Sequence, residues 1–153
     1  MNKGLMLDLK KLQEKLYKEI PLTKFMEIKL NKIQNNSLIT SANFEKNKND
    51  KNTGFAGSLS TLVTISGWCA CYLNTIKLGY GKSMIAIIKS DTSYKAAVTK
   101  DFYCETILPS KEEIDLFKKK LENKKSSSLR IKSQIIEDKK VCVKFEGIYI
   151  IKV

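Results

Sequence analysis

The chain contains no histidine. That single absence removes Ser-His-Asp and Cys-His catalysis, and every zinc site built with an imidazole. Its four cysteines, Cys69, Cys71, Cys104 and Cys142, include no C-x-x-C pair. Metal and redox roles lose their usual spacing signature, so buried free thiols in a reducing compartment are the plain expectation. A signal-peptide hydrophobic region is also missing, because charges interrupt the amino terminus from Asp8 onward. The expected location is therefore the cytoplasm. Arginine is nearly absent: Arg130 is the single one among 28 Lys+Arg, set against 16 Asp+Glu. The most informative scarcity is local. No charged side chain occurs in the 25 residues from Asn52 to Ile76, in a chain of net charge +12.

What is present bounds the answer further. With 153 residues, 42% hydrophobic and 29% charged, the sequence predicts one domain, 1–153, with a real core. Residues 1–51 carry 11 basic and 6 acidic groups, residues 52–108 carry 5 and 3, and residues 109–153 carry 12 and 7. Such a balance favours acidic partners, whether nucleic acid, anionic lipid, a phosphate-bearing ligand or an acidic carrier protein. A diffuse, solvated lysine surface is a plainer account of it than a dedicated polyanion groove. Nucleic acid is the weakest of these partners, since no reading motif is present and the aromatics do not interleave with the basic clusters.

Periodicity gives the elements. Leu9, Leu12, Leu16 and Ile20 recur at spacings of three and four, predicting an amphipathic amino-terminal helix within 1–20 that Pro21 stops. "EIKLNKIQ" and "SLITSANF" read as paired strands around the turn Asn35–Asn36. The uncharged run predicts a helix from about Gly57 to Ile76, roughly 30 Å long. Ser58, Ser60, Thr61, Thr64, Ser66, Asn74 and Thr75 are too many polar groups for a lone membrane span. A helix apolar on most of its surface is otherwise one enclosed by protein. Strands at 83–94 and 101–108 should enclose it, followed by a helix at 110–122 inserted between strands. Ser110 and Glu113 form a capping-box pattern there, and Ile114, Phe117 and Leu121 its buried stripe. Two further strands follow, joined at Asp138–Lys139. One long helix and about six mostly antiparallel strands predict an α+β fold, with a curved sheet wrapped around the long central helix.

The stretch "NDKNTGFAGSLSTLVTISGW" is similar to the signature of the hotdog-fold thioesterases, in particular the family typified by the C-terminal domain of YiiD. Asn49, Thr53, Phe55, Gly57, Ser58, Leu59, Gly67 and Trp68 match its helix motif. Ser90, Tyr94, Val98, Thr99 and Asp101 match a later strand motif. The resemblance implies a hotdog fold, a homodimer that can pair into a dimer of dimers, and acyl-thioester pockets where subunits meet. The ligand implied is a thioester of coenzyme A or of acyl carrier protein, with no other cofactor and no metal. Asp50 stands where the family has His, and Asn52, Gly54, Ala56 and Ala97 also depart from the pattern. Thr64 occupies the helix position at which many relatives carry an acid. Acyl-thioester hydrolysis is thus one expectation, and a non-hydrolysing acyl-CoA sensor or accessory factor is the alternative.

The chemistry suggests roles for particular residues. A helix amino terminus presents N–H groups that lack internal partners and favours developing negative charge. Gly57 is the candidate to donate its N–H to the thioester oxygen, or else a glycine needed for packing. Asn49 could orient water or substrate. Asp50, the carboxylate beside the helix start, is the candidate general base, or an exposed loop residue or helix cap. Thr61 and Thr64 share a helix face with Gly57 at offsets of four and seven. They either line the pocket or bond back to the preceding turn. Phe55, Ala56, Ser58, Ser90 and Lys95 complete the expected substrate contacts, with Thr64 grouped among the catalytic positions. Lys82, Lys89 and Lys95 are candidates for phosphate contacts, Trp68 for the core, and Tyr94 either borders the pocket from its strand or, more plainly, packs.

Overall fold

A computed structural model of the protein describes residues 3–153. Helix α1 (Lys3–Glu19) buries Leu9, Leu12 and Leu16 of the stripe that the spacing predicts, while Ile20, the fourth, lies past the helix end and is partly buried. The short helix α2 (Pro21–Phe25) starts on Pro21, whose missing N–H costs nothing at that position. It ends when Glu27 takes a left-handed φ of 56°. The Glu27 and Ile28 amides then bond back to the Lys24 and Thr23 carbonyls, so the helix end leaves few acceptors unpaired. This turn delays the first strand, which begins at Lys29 and not at Glu27.

Strands β1 (Lys29–Gln34) and β2 (Ser37–Ala42) form a hairpin. Its two-residue turn places Asn35 and Asn36 at positive φ, 51° and 57°, which matches the twist of the flanking strands. After the long helix α3 (Ala56–Lys77) come β3 (Met84–Tyr94), β4 (Phe102–Ile107), helix α4 (Lys111–Lys124), β5 (Ser126–Glu137) and β6 (Lys140–Lys152). The strands form one sheet in the order β1-β2-β4-β5-β6-β3, with every neighbouring pair antiparallel. The β5–β6 hairpin turns at Asp138 and Lys139, again both at positive φ.

α3 lies against this sheet and buries residues all round its axis, among them Leu59, Leu62, Val63, Gly67, Cys69, Ala70 and Leu73. It is long and apolar enough to cross a membrane, yet half of its most apolar stretch is already covered by the protein. Two contacts fix it. The Tyr149 hydroxyl on β6 donates to the Thr64 carbonyl at 2.7 Å, lying over Gly67, where a Cβ would sit only 2.2 Å from that oxygen. The buried Ser66 hydroxyl bonds the Leu62 carbonyl and the Thr40 hydroxyl on β2, both at 2.7 Å. Polar groups inside a core are costly unless paired, so this pair holds α3 in one register on the sheet.

All four cysteines are free and buried, as the composition suggests. Burial pushes the Cys69, Cys71 and Cys104 thiols up from their ordinary range. α4 carries the full capping box between Ser110 and Glu113, with Phe117 and Leu121 buried and Ile114 only partly so.

The two edges of the sheet differ. α1 covers β1: Gln13 accepts from the Leu30 amide at 2.7 Å and donates to the Ile28 carbonyl, which also accepts from the Tyr17 hydroxyl. β3, by contrast, is hydrogen-bonded only to β6 and exposes Met84, Ile88 and Tyr94. The apolar run 83–94 packs on α3 as one of the enclosing strands, but at the open edge of the sheet, where its hydrophobic residues are partly or largely bare.

Candidate functional site

The loop before α3 is built by one side chain. The Asn49 carboxamide oxygen accepts from the Lys51 and Thr53 amides at 2.9 and 3.1 Å, and its nitrogen lies 3.0 Å from the Thr53 hydroxyl. Asn52 sits at a φ of 60°, and the Asn49 amide closes the loop on the Thr53 carbonyl at 2.8 Å. This accounts for Asn at 49 and 52: short amide side chains bond their own backbone and tolerate the left-handed region. Gly54 then donates its N–H to the Val98 carbonyl at 2.7 Å. A Cβ there would lie 3.0 Å from Val98 and 3.1 Å from Leu59, so the chain needs glycine for this close approach.

α3 starts two residues later with Phe55 as its N-cap, and no side chain caps it. The first amide to find an intrahelical carbonyl is that of Leu59, bonded to Phe55 at 3.0 Å. The N–H groups of Ala56, Gly57 and Ser58 precede it and have no carbonyl available within the helix. Of these three residues Ala56 lines a cleft of about 330 Å³, together with Asn49, Gly54, Leu59, Tyr94, Lys95, Ala96, Ala97 and Val98. The far wall is held by β6, since the Cys142 carbonyl accepts from the Lys95 and Ala96 amides at 2.7 and 3.2 Å. Its continuation is fastened by the Thr99 amide and hydroxyl on the Glu137 carboxylate, and by the Phe44 amide on the Asp101 carboxylate.

This geometry sorts the residues picked from sequence. Asn49, Ala56 and Lys95 line the cleft. Gly57 follows Ala56 directly on the exposed first turn, with the half-exposed Phe55 ring folded over its Cα. Ser58 is partly buried beside it. Asn49 spends its carboxamide on its own loop. Asp50 is highly exposed, 83% by side chain, and its partner is Lys51 at 3.3 Å; it does not cap α3. The Thr61 hydroxyl bonds back to the Gly57 carbonyl at 2.8 Å, and Thr64 is partly buried one turn further on; neither lines the cleft. Ser90 lies elsewhere, in a groove of about 200 Å³ with Lys89, Asp91, Arg130, Glu146 and Ile148. Of its two expected places Tyr94 takes the one at the cleft rim, where it is half exposed, and not a packed one.

Gly54, Leu59, Ala97 and Val98 stand in the sequence only as motif positions or departures, and Ala96 not at all; the structure adds all five to the cleft lining. The Gly54-to-Val98 contact spans a separation that no local pattern shows. No group of three or more His, Cys, Asp or Glu residues placed to hold a metal ion occurs among the described residues.

Solved structures similar to the chain share its architecture. A protein of unknown function from Chlorobaculum tepidum is 27% identical over 94% of this chain and 93% of its own, with a TM-score of 0.89. A "putative thioesterase from Shewanella oneidensis" is 26% identical, covering 95% of this chain and 97% of its own, with a TM-score of 0.85. A mutant thioesterase from Pseudomonas aeruginosa shares the fold at 10% identity, covering 94% and 93%, with a TM-score of 0.71. No curated protein matches the chain. The sheet curved around α3 is the hotdog fold. With the model of the family described as "Putative thioesterase (yiiD_Cterm)" matching residues 9–153, nearly the whole chain, this protein belongs to that family.

Proposed function

We propose that the protein hydrolyses acyl thioesters of coenzyme A or of an acyl carrier protein, in the cleft at the start of α3, as a homodimer joined through β3. The observation that carries this reading is the uncapped first turn of α3, whose first residue, Ala56, lines an apolar-walled cleft. Attack of water on a thioester carbonyl puts negative charge on the oxygen. Fixed amide donors at a helix amino terminus stabilise that charge without reorganising. Asp50, next to the cleft residue Asn49, takes the proton of the attacking water. Collapse of the adduct breaks the C–S bond and expels the thiolate, which regains a proton.

Pairing through β3 is supported by the contrast between edges. An open eleven-residue edge with exposed apolar side chains invites a second strand, whereas β1 is already covered by α1. Dimers of dimers would form through other surfaces.

One observation favours a second reading, an acyl-thioester binder that acts as a sensor or accessory factor: no carboxylate lines the cleft. Thiol release from a panel of acyl-CoAs and acyl carrier proteins separates the two. Under hydrolysis, Asp50→Ala lowers kcat about 10²-fold or more with the circular dichroism spectrum unchanged. Saturable binding without thiol release establishes the binder, and absence of binding to any thioester refutes both.

A further inference from the structure

We propose that a row of lysines at the far end of the sheet from the cleft binds the phosphate groups of coenzyme A, and serves the cleft of the partner copy in the dimer. The inference rests on the thioester reading given above.

The row is fixed by strand register. Lys152 on β6 pairs with Met84, the first residue of β3, on one side and with Ser126, the first residue of β5, on the other. The Val153 amide donates to the Lys125 carbonyl at 3.0 Å, which ties the end of α4 to the same row. Lys82 lies two residues before β3 and Lys124 one residue before Lys125. Lys82, Lys124, Lys125 and Lys152 are all exposed. None of the ion pairs among the described residues involves them. Glu122 is the nearest carboxylate in sequence, and it too enters no ion pair. Four exposed cations that enter no ion pair create a positive field that a multiply charged anion would relieve.

Within one subunit this row is remote from the cleft. α3 runs the length of the sheet, and β3 returns from the row at Met84 to the cleft rim at Tyr94. The open edge of β3 removes that distance. Two copies of one strand related by a twofold axis pair antiparallel, so the beginning of each lies beside the end of the other. A full-length register sets Met84 opposite the partner's Tyr94. Neighbouring strands are about 4.8 Å apart, so Lys152 would stand roughly 10 Å from the partner's cleft rim, with Lys125 about one strand further. Lys82 enters from the loop at the same end. The thioester carbonyl would meet the α3 amides of one subunit while the phosphates rest on lysines of the other. Lys95, on the rim itself, bridges the two.

The test is the triple variant Lys82→Ala, Lys125→Ala, Lys152→Ala, assayed with an acyl-CoA and with the same acyl group on pantetheine, which has no phosphates. The expected result is a KM for acyl-CoA raised at least tenfold, with kcat and the acyl-pantetheine kinetics unchanged. An unchanged KM overturns the proposal, as does an equal rise for both substrates. So does a rise confined to acyl carrier protein, which would assign the row to a protein surface. Mixed dimers read the crossing. Subunits lacking the lysines are refolded with subunits whose cleft is filled by Ala56→Trp. Low-KM hydrolysis should reappear, because one intact cleft then faces intact lysines. If mixing restores nothing, the lysines do not act across the dimer. Should the wild type hydrolyse no thioester, the hydrolase reading fails by itself. Equilibrium binding of coenzyme A still tests the row, with a tenfold weakening expected in the triple variant and equal affinity refuting it.

Discussion

Replacing Gly67 by Ala should destabilise the protein, although the same change in an exposed helix would stabilise it. The new Cβ would meet the Tyr149 hydroxyl at 2.2 Å and the ring carbon bearing it at 2.6 Å. Tyr149 is fully buried, and its hydroxyl donates to the Thr64 carbonyl at 2.7 Å, so the ring cannot retreat and keep that bond. Overpacking a tight core costs about 1–3 kcal/mol. Leaving a buried hydroxyl without its partner costs about 1–3 kcal/mol more. The gain in helix propensity from Gly to Ala returns only about 1 kcal/mol. Together these give a net loss of about 1–5 kcal/mol, with about 2–4 kcal/mol at its centre. For a domain of this size it should lower Tm by about 4–16 °C at fixed protein concentration. Thermal and urea unfolding followed by circular dichroism measure it. The companion variant Tyr149→Phe removes the atom that clashes first. Combining it with Gly67→Ala should cost less than the sum of the two single changes, a coupling that neighbouring residues show and distant ones do not. A Gly67→Ala protein as stable as wild type, or more so, would refute the wedge of Tyr149 against α3.

Burial also sets the behaviour of the thiols. Cys69, Cys71 and Cys104 have pKa values raised by desolvation, so they remain neutral in the fold at pH values where an unfolded thiol, with a pKa of about 8.5, ionises. The unfolded chain then binds fewer protons than the native one, and stability is full below about pH 8.5 and falls as the pH rises above it, by up to about 1.4 kcal/mol per unit for each thiol. Urea midpoints at pH 7 and pH 10 check the sign. A thiol reagent should leave the native protein nearly unlabelled and label all four cysteines in denaturant. Ser110→Ala should cost about 1 kcal/mol by removing the cap that accepts from the Glu113 amide, and an unchanged urea midpoint would show that α4 is held by Phe117 and Leu121 alone.

Local rules in the sequence carried most of the fold. The leucines of α1, the Asn35–Asn36 and Asp138–Lys139 turns, the Ser110–Glu113 box and the uncharged run of α3 each rest on neighbours within a few residues. Such signals survive without tertiary information because the helical and strand periods imprint them directly. The edge position of β3 did not show, because an apolar strand reads the same whether it lies inside its sheet or at the edge. Asn49 stood out in the sequence as a candidate, but not as the side chain that shapes the loop.

The sequence by itself determined an α+β chain built around one uncharged helix, and excluded histidine chemistry, because composition and periodicity act locally. Tertiary structure decided which candidates share a cleft. It set Asn49, Ala56 and Lys95 against Val98 and parted them from Ser90, through contacts such as Gly54 with Val98 that join residues far apart in the chain. Proximity across a folded sheet depends on strand order and register, and neither is written in any single stretch of residues.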